Sequence, residues 1–343
     1  MGVNLRDIVT KKEVTFEELK GKVLAVDGYN ILYQFLTTIR TPDGRPLTDS
    51  KGNVTSHLIG LFSRTASFLK QGLRPVFVFD GKVPELKHRE LEKRAEAKAE
   101  AQKQYEKALS EEDVEAMQKY AARTSRLTKE MVEEAKTLLA LMGVPVIQAP
   151  SEGDAQAAFL VKNGDAWAVV SQDYDALLHG ADRLIQNLSI AGRRKKTRAL
   201  ATVVVKPELI VLKEVLKELG ITHDQLIYLS ILVGTDYHPG GVKGIGPKKA
   251  LALVKEQKTA EKIFEAAKWG ECCDVSWQEI MKLFKEMPVT KEYKIGFRAP
   301  DREGIRKFLV EEHDFSMDRV NKTLSELQEE HSKRQQKGLG DFR

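Results

Sequence analysis

Four short apolar runs punctuate the first half of the chain, and each gives way to acidic residues. Residues 22–26 (Lys-Val-Leu-Ala-Val) stop at Asp27, and residues 75–79 (Pro-Val-Phe-Val-Phe) stop at Asp80. Residues 144–148 lead into Ser151-Glu152-Gly153-Asp154, and residues 166–170 into Ser171-Gln172-Asp173-Tyr174-Asp175. Near-continuous apolar runs of this length predict strands buried in a parallel sheet. Between them the period changes. Residues 29–36, 131–142 and 155–162 predict helices, and residues 57–70 place Leu58, Leu61, Phe62, Ala66 and Leu69 on one helical face. Strands alternating with helices predict an α/β fold whose strand carboxyl ends border a ligand crevice.

Residues 82–126 break that alternation. Pro84-Glu85-Leu86-Lys87-His88-Arg89-Glu90-Leu91-Glu92-Lys93-Arg94 opens a stretch rich in Ala, Glu, Lys and Arg, with few large apolar residues. It predicts helix standing away from the core, either a solvated surface helix or a short coiled coil. Lys87, Arg94 and Lys98 are spaced by seven and four, which sets them near one helical face, where a strand of phosphates could use them. Further on, Arg193-Arg194-Lys195-Lys196 predicts a basic loop, and residues 207–220 and 224–233 predict helices, the second ending at Gly234-Thr235-Asp236. Residues 239–250 (Pro-Gly-Gly-Val-Lys-Gly-Ile-Gly-Pro-Lys-Lys-Ala) predict a turn entering another helix. Small-residue turns at helix N-termini expose N–H groups that bind phosphate without regard to base, and Lys243, Lys248 and Lys249 surround this one. The remainder, to about 331, predicts mainly helix with a polar loop near 287–302, and residues 332–343 predict a flexible tail.

Composition narrows the class. The 343 residues suffice for one large domain or two, and 55 basic against 50 acidic residues leave a net charge of +5, mild support for a polyanionic partner. Cys272 and Cys273, the only cysteines, are adjacent, which argues against an ordinary structural disulfide and against zinc spacing. A reducing compartment follows. No secretory h-region opens the chain, and no run approaches the roughly 18 apolar residues of a membrane helix, so an intracellular, soluble protein is expected. The absence of a P-loop pattern and of a nucleophilic Ser or Cys motif disfavours NTP hydrolysis and covalent catalysis.

The acids carry the chemistry. Asp173 and Asp175 either cap a turn into Ala176-Leu177-Leu178 or repel one another unless a cation lies between them. Ser151 and Asp154 fit a capping box, in which Glu152 has no part. Taken together, Asp27, Asp80, Glu152, Asp154, Asp173, Asp175 and Asp236 make an all-oxygen set suited to Mg²⁺ or Mn²⁺ rather than zinc. Seven carboxylates could hold two ions, the pairing that hydrolyses phosphodiesters by activating a water and stabilising the leaving oxygen.

Val-Asp-Gly-Tyr-Asn (26–30), Val-Phe-Asp-Gly-Lys (78–82), Ala-Pro-Ser-Glu-Gly-Asp-Ala-Gln-Ala-Ala (149–158), Ser-Gln-Asp-Tyr-Asp (171–175), Val-Gly-Thr-Asp-Tyr (233–237) and Gly-Ile-Gly-Pro-Lys-Lys (244–249) follow one another in this order. Over nearly its whole length the chain resembles the flap endonucleases, their archaeal members most closely, within the wider family of structure-specific 5′ nucleases. The resemblance implies a PIN-like, parallel-rich sheet flanked by helices, with a helical arch at about 82–126 and a helix-hairpin-helix DNA-binding motif at about 225–256. It divides the chain into an N-terminal nuclease region (1–100), an internal region (101–260), a C-terminal helical part of the same core (261–331) and a tail (332–343).

The resemblance implies a metal-dependent enzyme that cuts 5′ flaps, with 5′–3′ exonuclease activity, in Okazaki fragment maturation and base excision repair. Asp27, Asp80, Glu152 and Asp154 would form one Mg²⁺ group. Asp173, Asp175 and Asp236 would form the other, joined by Glu152 through water, and Mn²⁺ could substitute. Lys87 and Arg94 match arch residues that act on the scissile phosphate, with Lys98 beside them, and Tyr33 matches an aromatic position that stacks on a base. Gly2 would lie near the substrate junction, and Gly234, Lys243, Gly244, Gly246, Lys248 and Lys249 would hold the downstream duplex, where the family also binds K⁺. Gln336, Leu339 and Phe342 fit a sliding-clamp motif in which Arg343 replaces the second aromatic, so weaker clamp binding is expected. Asp154 stands where the family usually has Glu. A monomer acting in the cytoplasm or nucleoid is expected. A related 5′ exonuclease or Holliday-junction resolvase is the alternative enzyme, and a non-catalytic, clamp-tethered junction scaffold the alternative of another class.

Overall fold

The computed structural model describes residues 2–111, 113–190, 192–195 and 202–340. The strands are β1 (Lys12–Glu13), β2 (Val23–Asp27), β3 (Arg74–Phe79), β4 (Val146–Gln148), β5 (Ala168–Val170), β6 (Arg183–Gln186), β7 (Gly192–Lys195), β8 (Thr202–Val205) and β9 (Glu208–Val211). Seven of them form one sheet in the order β1-β9-β6-β5-β2-β3-β4, parallel from β6 through β4 and antiparallel at the β9 and β1 edge. The chain runs outward from β2 to β3 and β4, then crosses back to lay β5 on the other side of β2. That reversal opens a crevice at the strand carboxyl ends.

Both faces of the sheet are covered. Ala25, Val76, Val78, Val169 and Leu184 point into one core, while Leu24, Val26, Phe77, Phe79, Ala168, Val170 and Ile185 point into the other. Alternate residues of one strand therefore serve opposite layers, which is why these strands are apolar throughout. Helices Gly28–Thr38, Ser56–Lys70 and Lys129–Leu141 pack on the second face, and Gly153–Lys162 and His223–Val233 on the first.

Two segments fold differently from the sequence expectation. Residues 207–220 are not one helix: Glu208–Val211 is β9, paired with β6 and β1, and helix begins only at Leu212, ending at Gly220 with φ 65°. Four residues carry too little periodicity to declare a strand, and the pairing partner β6 is equally short. The basic run is not a loop: Arg193 to Lys195 lie in β7, which pairs with β8 as a separate two-stranded ribbon, and Lys196 lies outside the described residues.

The charged segment forms helices His88–Ser110 and Val114–Ala121, and in the first of these Ala101 and Ala108 are buried. At the carboxyl end, helix Met317–Gly340 continues through most of the segment for which the sequence predicts a flexible tail. Gln336 and Leu339 belong to that helix, whereas Phe342 and Arg343 lie outside the described residues.

Candidate active site

Four strand ends deliver six of the seven acids to the crevice. Asp27 is the last residue of β2, Asp80 follows β3, Glu152 and Asp154 follow β4, and Asp173 and Asp175 follow β5. Asp236 arrives from the turn after helix His223–Val233. Both Asp-Gly endings serve close approach rather than a left-handed turn. A Cβ on Gly28 would lie 2.8 Å from the Phe79 ring, and one on Gly81 would lie 2.2 Å from the Ala149 carbonyl oxygen. The backbone N–H groups of Gly81 and Lys82 donate to the carbonyls of Ser151 and Pro150 at 2.6 and 3.0 Å, binding the Asp80 loop to the Glu152 loop. The Gly153 N–H then donates to Asp80 Oδ1 at 2.6 Å.

The other side of the crevice is fixed in the same manner. Ser171 Oγ donates to Asp27 Oδ2 at 3.0 Å and accepts from the Asp173 N–H at 3.3 Å. Asp27 also caps its helix through the Asn30 N–H, and Asn30 Nδ2 donates to Asp173 Oδ2 at 3.2 Å. The chain's beginning reaches in as well: the N–H groups of Gly2 and Val3 donate to Asp173 and Asp175 at 3.3 and 3.0 Å. Ser171 and Asn30 are site residues that sequence reasoning missed. Both sit inside the quoted motifs, but short polar side chains there read equally well as turn formers.

The capping interpretations do not hold. Ser151 Oγ donates to the Lys82 carbonyl, Glu152 occupies the N-cap position without a side-chain cap bond, and Asp154 Oδ1 is buried with no hydrogen-bond partner. Tyr174, not Asp173, precedes helix Asp175–Leu178, and it provides no side-chain cap.

Charge crowding follows. Burial first, then neighbouring carboxylates, raises Asp27 and Asp175 from 3.8 to about 7. The same causes hold Asp154 well above the ordinary range, through Asp27, Asp175, Asp173 and Asp80. Burial raises Asp80 and Glu152 too, against the pull of Lys87. The basic helix answers this field. Lys87 Nζ lies 2.5 Å from Glu152 and 3.3 Å from Asp236, and Arg94 binds Asp236 at 2.7 Å while also bonding Glu90. Lys98 Nζ stands 4.9 Å from the Tyr33 ring centroid. Of the predicted stripe, Lys87 and Arg94 thus reach the crevice acids, while Lys98 reaches Tyr33.

Among the described residues no three carboxylate, imidazole or thiol groups already converge on one metal position. The donor set nevertheless fits divalent cations. Every candidate ligand is an oxygen, the group is too acidic to remain charged without compensation, and the Asp154 oxygen has no donor to satisfy it.

The hairpin lies next to Asp236. Gly234 has φ 116°, and a Cβ there would meet the Gly241 and Gly240 nitrogens at 2.8 and 2.9 Å. The Val242 N–H closes the turn on the Leu232 carbonyl at 2.8 Å. Gly246 precedes helix Pro247–Gln257 without a side-chain cap, and Lys243, Lys248 and Lys249 around this helix start are exposed. Lys249 Nζ donates to the Gly244 carbonyl at 3.0 Å.

A parallel-rich sheet with an acid-lined carboxyl edge, a basic helix above it and a glycine-rich hairpin beside it defines a nuclease of the XPG class. The XPG N-terminal domain matches residues 1–101 and the XPG I-region matches residues 143–236. Flap endonuclease 1 of Staphylothermus marinus is 52% identical over 99% of this chain and 99% of its own length. That of Pyrococcus horikoshii is 52% identical over 95% of this chain and 94% of its own. The solved structure of flap endonuclease-1 from Methanococcus jannaschii superposes with a TM-score of 0.76 at 45% identity, covering 97% of this chain and 100% of that one. The chain belongs to the flap endonuclease family of metal-dependent DNA nucleases.

Proposed function

We propose that the chain hydrolyses a phosphodiester at the foot of a 5′ flap, where single-stranded DNA meets duplex, with an accompanying 5′–3′ exonuclease activity, in Okazaki fragment maturation and base excision repair inside the cell. One observation carries the reading. Seven carboxylates gather at a sheet edge, with a buried oxygen of Asp154 lacking any donor, beneath cations that a polyanion can draw away.

Asp27, Asp80, Glu152 and Asp154 are proposed to hold one Mg²⁺, and Asp173, Asp175 and Asp236 another, with Glu152 reaching the second through water; Mn²⁺ can replace either. When bound, the pair supplies charge to the scissile phosphate and lowers the pKa of the attacking water. The chain's own side chains do the rest. Lys87 and Arg94 exchange carboxylate partners for the phosphate, which couples substrate arrival to release of Glu152 and Asp236. Tyr33 offers a ring for the adjoining base, with Lys98 beside it. Gly2 keeps the junction open, since a Cβ there would lie 2.3 Å from Asp175 Oδ2.

Gly234, Gly244 and Gly246 shape a turn that binds the downstream duplex through N–H groups and through Lys243, Lys248 and Lys249. A K⁺ ion is proposed at this turn, where it would have to replace the Lys249 ammonium at the Gly244 carbonyl. The protein is proposed to act as a monomer, tethered to a sliding clamp by Gln336, Leu339 and Phe342.

The test is a panel of 5′-flap, nicked and four-way DNA with Mg²⁺. Flap cleavage well above the others is expected. Uncut flaps would refute the reading, and preferential four-way cutting would favour a resolvase.

A further inference from the structure

The two cysteines take no part in that chemistry. They end the short helix Trp269–Cys272, whose Trp269 ring lies 4.9 Å from that of His238 in the hairpin. Cys272 is exposed, Cys273 is half-buried, and their sulfurs are 3.2 Å apart. Burial, then the Cys272 thiol, pushes Cys273 up to about 12, so Cys273 keeps its proton while Cys272 is the sulfur a reagent meets first.

Two common uses of paired thiols fit poorly here. A disulfide prefers Cα atoms about 4.4–6.8 Å apart, whereas chain neighbours are only about 3.8 Å apart across a trans peptide. A Cys272–Cys273 disulfide would be strained and readily reduced. Structural zinc needs four ligands, and among the described residues no third imidazole, thiol or carboxylate joins the pair. An electrophile that takes two sulfurs and brings its own third substituent fits a pair of sulfurs 3.2 Å apart.

We propose that Cys272 and Cys273 form a chelating site for monosubstituted trivalent arsenicals, R–As=O. Two S–As bonds form, the arsenic-bound oxygen takes both thiol protons and leaves as water, and arsenic stays trivalent. The site lies at the root of the basic helix, because Asp274 pairs with Arg89 at 2.5 Å.

With two cysteines in the whole chain the stoichiometry is unambiguous. Phenylarsine oxide is added to the full chain, followed by excess monothiol, and adducts are read by intact mass and by counting free thiols. One adduct per chain, loss of both thiols, resistance to the monothiol and release by a 1,2-dithiol are expected. In Cys272→Ser, at an exposed position and with flap cleavage as in wild type confirming the fold, retention falls roughly 10²-fold with loss of the chelate. An adduct that the monothiol strips from wild type, or equal retention in Cys272→Ser, overturns the proposal.

Discussion

Lys87 and Glu152 meet at 2.5 Å, joining the root of the basic helix to the loop after β4, and the same ammonium reaches Asp236 at 3.3 Å. One cation thus bridges acids from two separate parts of the chain; burial pulls the Lys87 pKa down, and the charges of Glu152 and Asp236 outweigh it and raise it. In the function proposed above, these two carboxylates are the partners that a phosphate would displace from Lys87.

Lys87→Met should lower single-turnover flap cleavage by roughly 10²–10³-fold, the usual effect of removing one positioned charge. The same variant leaves Glu152 and Asp236 with less compensation, so its melting temperature in chelator should fall and recover with Mg²⁺. Unchanged cleavage would show that Lys87 serves only to fill the crevice.

Asp154 is the buried acid whose Oδ1 lacks a donor. Asp154→Asn removes a carboxyl whose ionised form the fold tolerates poorly, so in chelator, at a pH where the unfolded chain ionises it, melting should rise by roughly 2–4 °C per kcal/mol recovered, while stabilisation by Mg²⁺ shrinks. Asp154→Glu restores the carboxylate with one more methylene and should preserve or raise cleavage. A large loss there would show that the shorter acid is required.

Asp27 and Asp175 titrate near 7 in the folded state against 3.8 unfolded. Between those values the native protein holds protons that the unfolded chain releases. This contribution to stability is therefore complete at low pH and is lost as pH rises through about 7. In chelator, melting should fall between about pH 5 and pH 8, and Mg²⁺ should stabilise more at the higher pH, where the ligands are ionised. The double variant Asp27→Asn, Asp175→Asn should flatten both trends in thermal scans; equal slopes in variant and wild type would refute the assignment.

Lys243 and Lys248 are exposed at the hairpin. Alanine at either should weaken binding uniformly across sequences and make the log–log salt slope shallower by roughly 0.9 per lost phosphate contact. Fluorescence anisotropy over a salt series measures this, and an unchanged slope would remove the hairpin from the interface.

The strands that build the site were legible because each is buried on both faces, so Val23–Asp27, Arg74–Phe79 and Ala168–Val170 announce themselves as apolar runs. The spacing of Lys87, Arg94 and Lys98 was legible because one long helix fixes it. β6 and β9 were not, since four-residue strands depend on partners far away in sequence. Ser151 misled for the opposite reason. Its local pattern fits a cap, but a tertiary partner, the Lys82 carbonyl, takes its hydroxyl. Ser171 and Asn30 act across the crevice, and no local pattern tells such a bond from a turn.

On the function proposed above, these carboxylates cut flap DNA through divalent cations. Single-turnover cleavage of a 5′ flap by wild type and Asp175→Ala, with Mg²⁺ and with chelator, tests it most directly, with binding measured alongside. Cleavage is expected from wild type with Mg²⁺ and not with chelator, and Asp175→Ala should still bind the flap but not cut it. Cleavage that persists in chelator, or at the wild-type rate in Asp175→Ala, would contradict it.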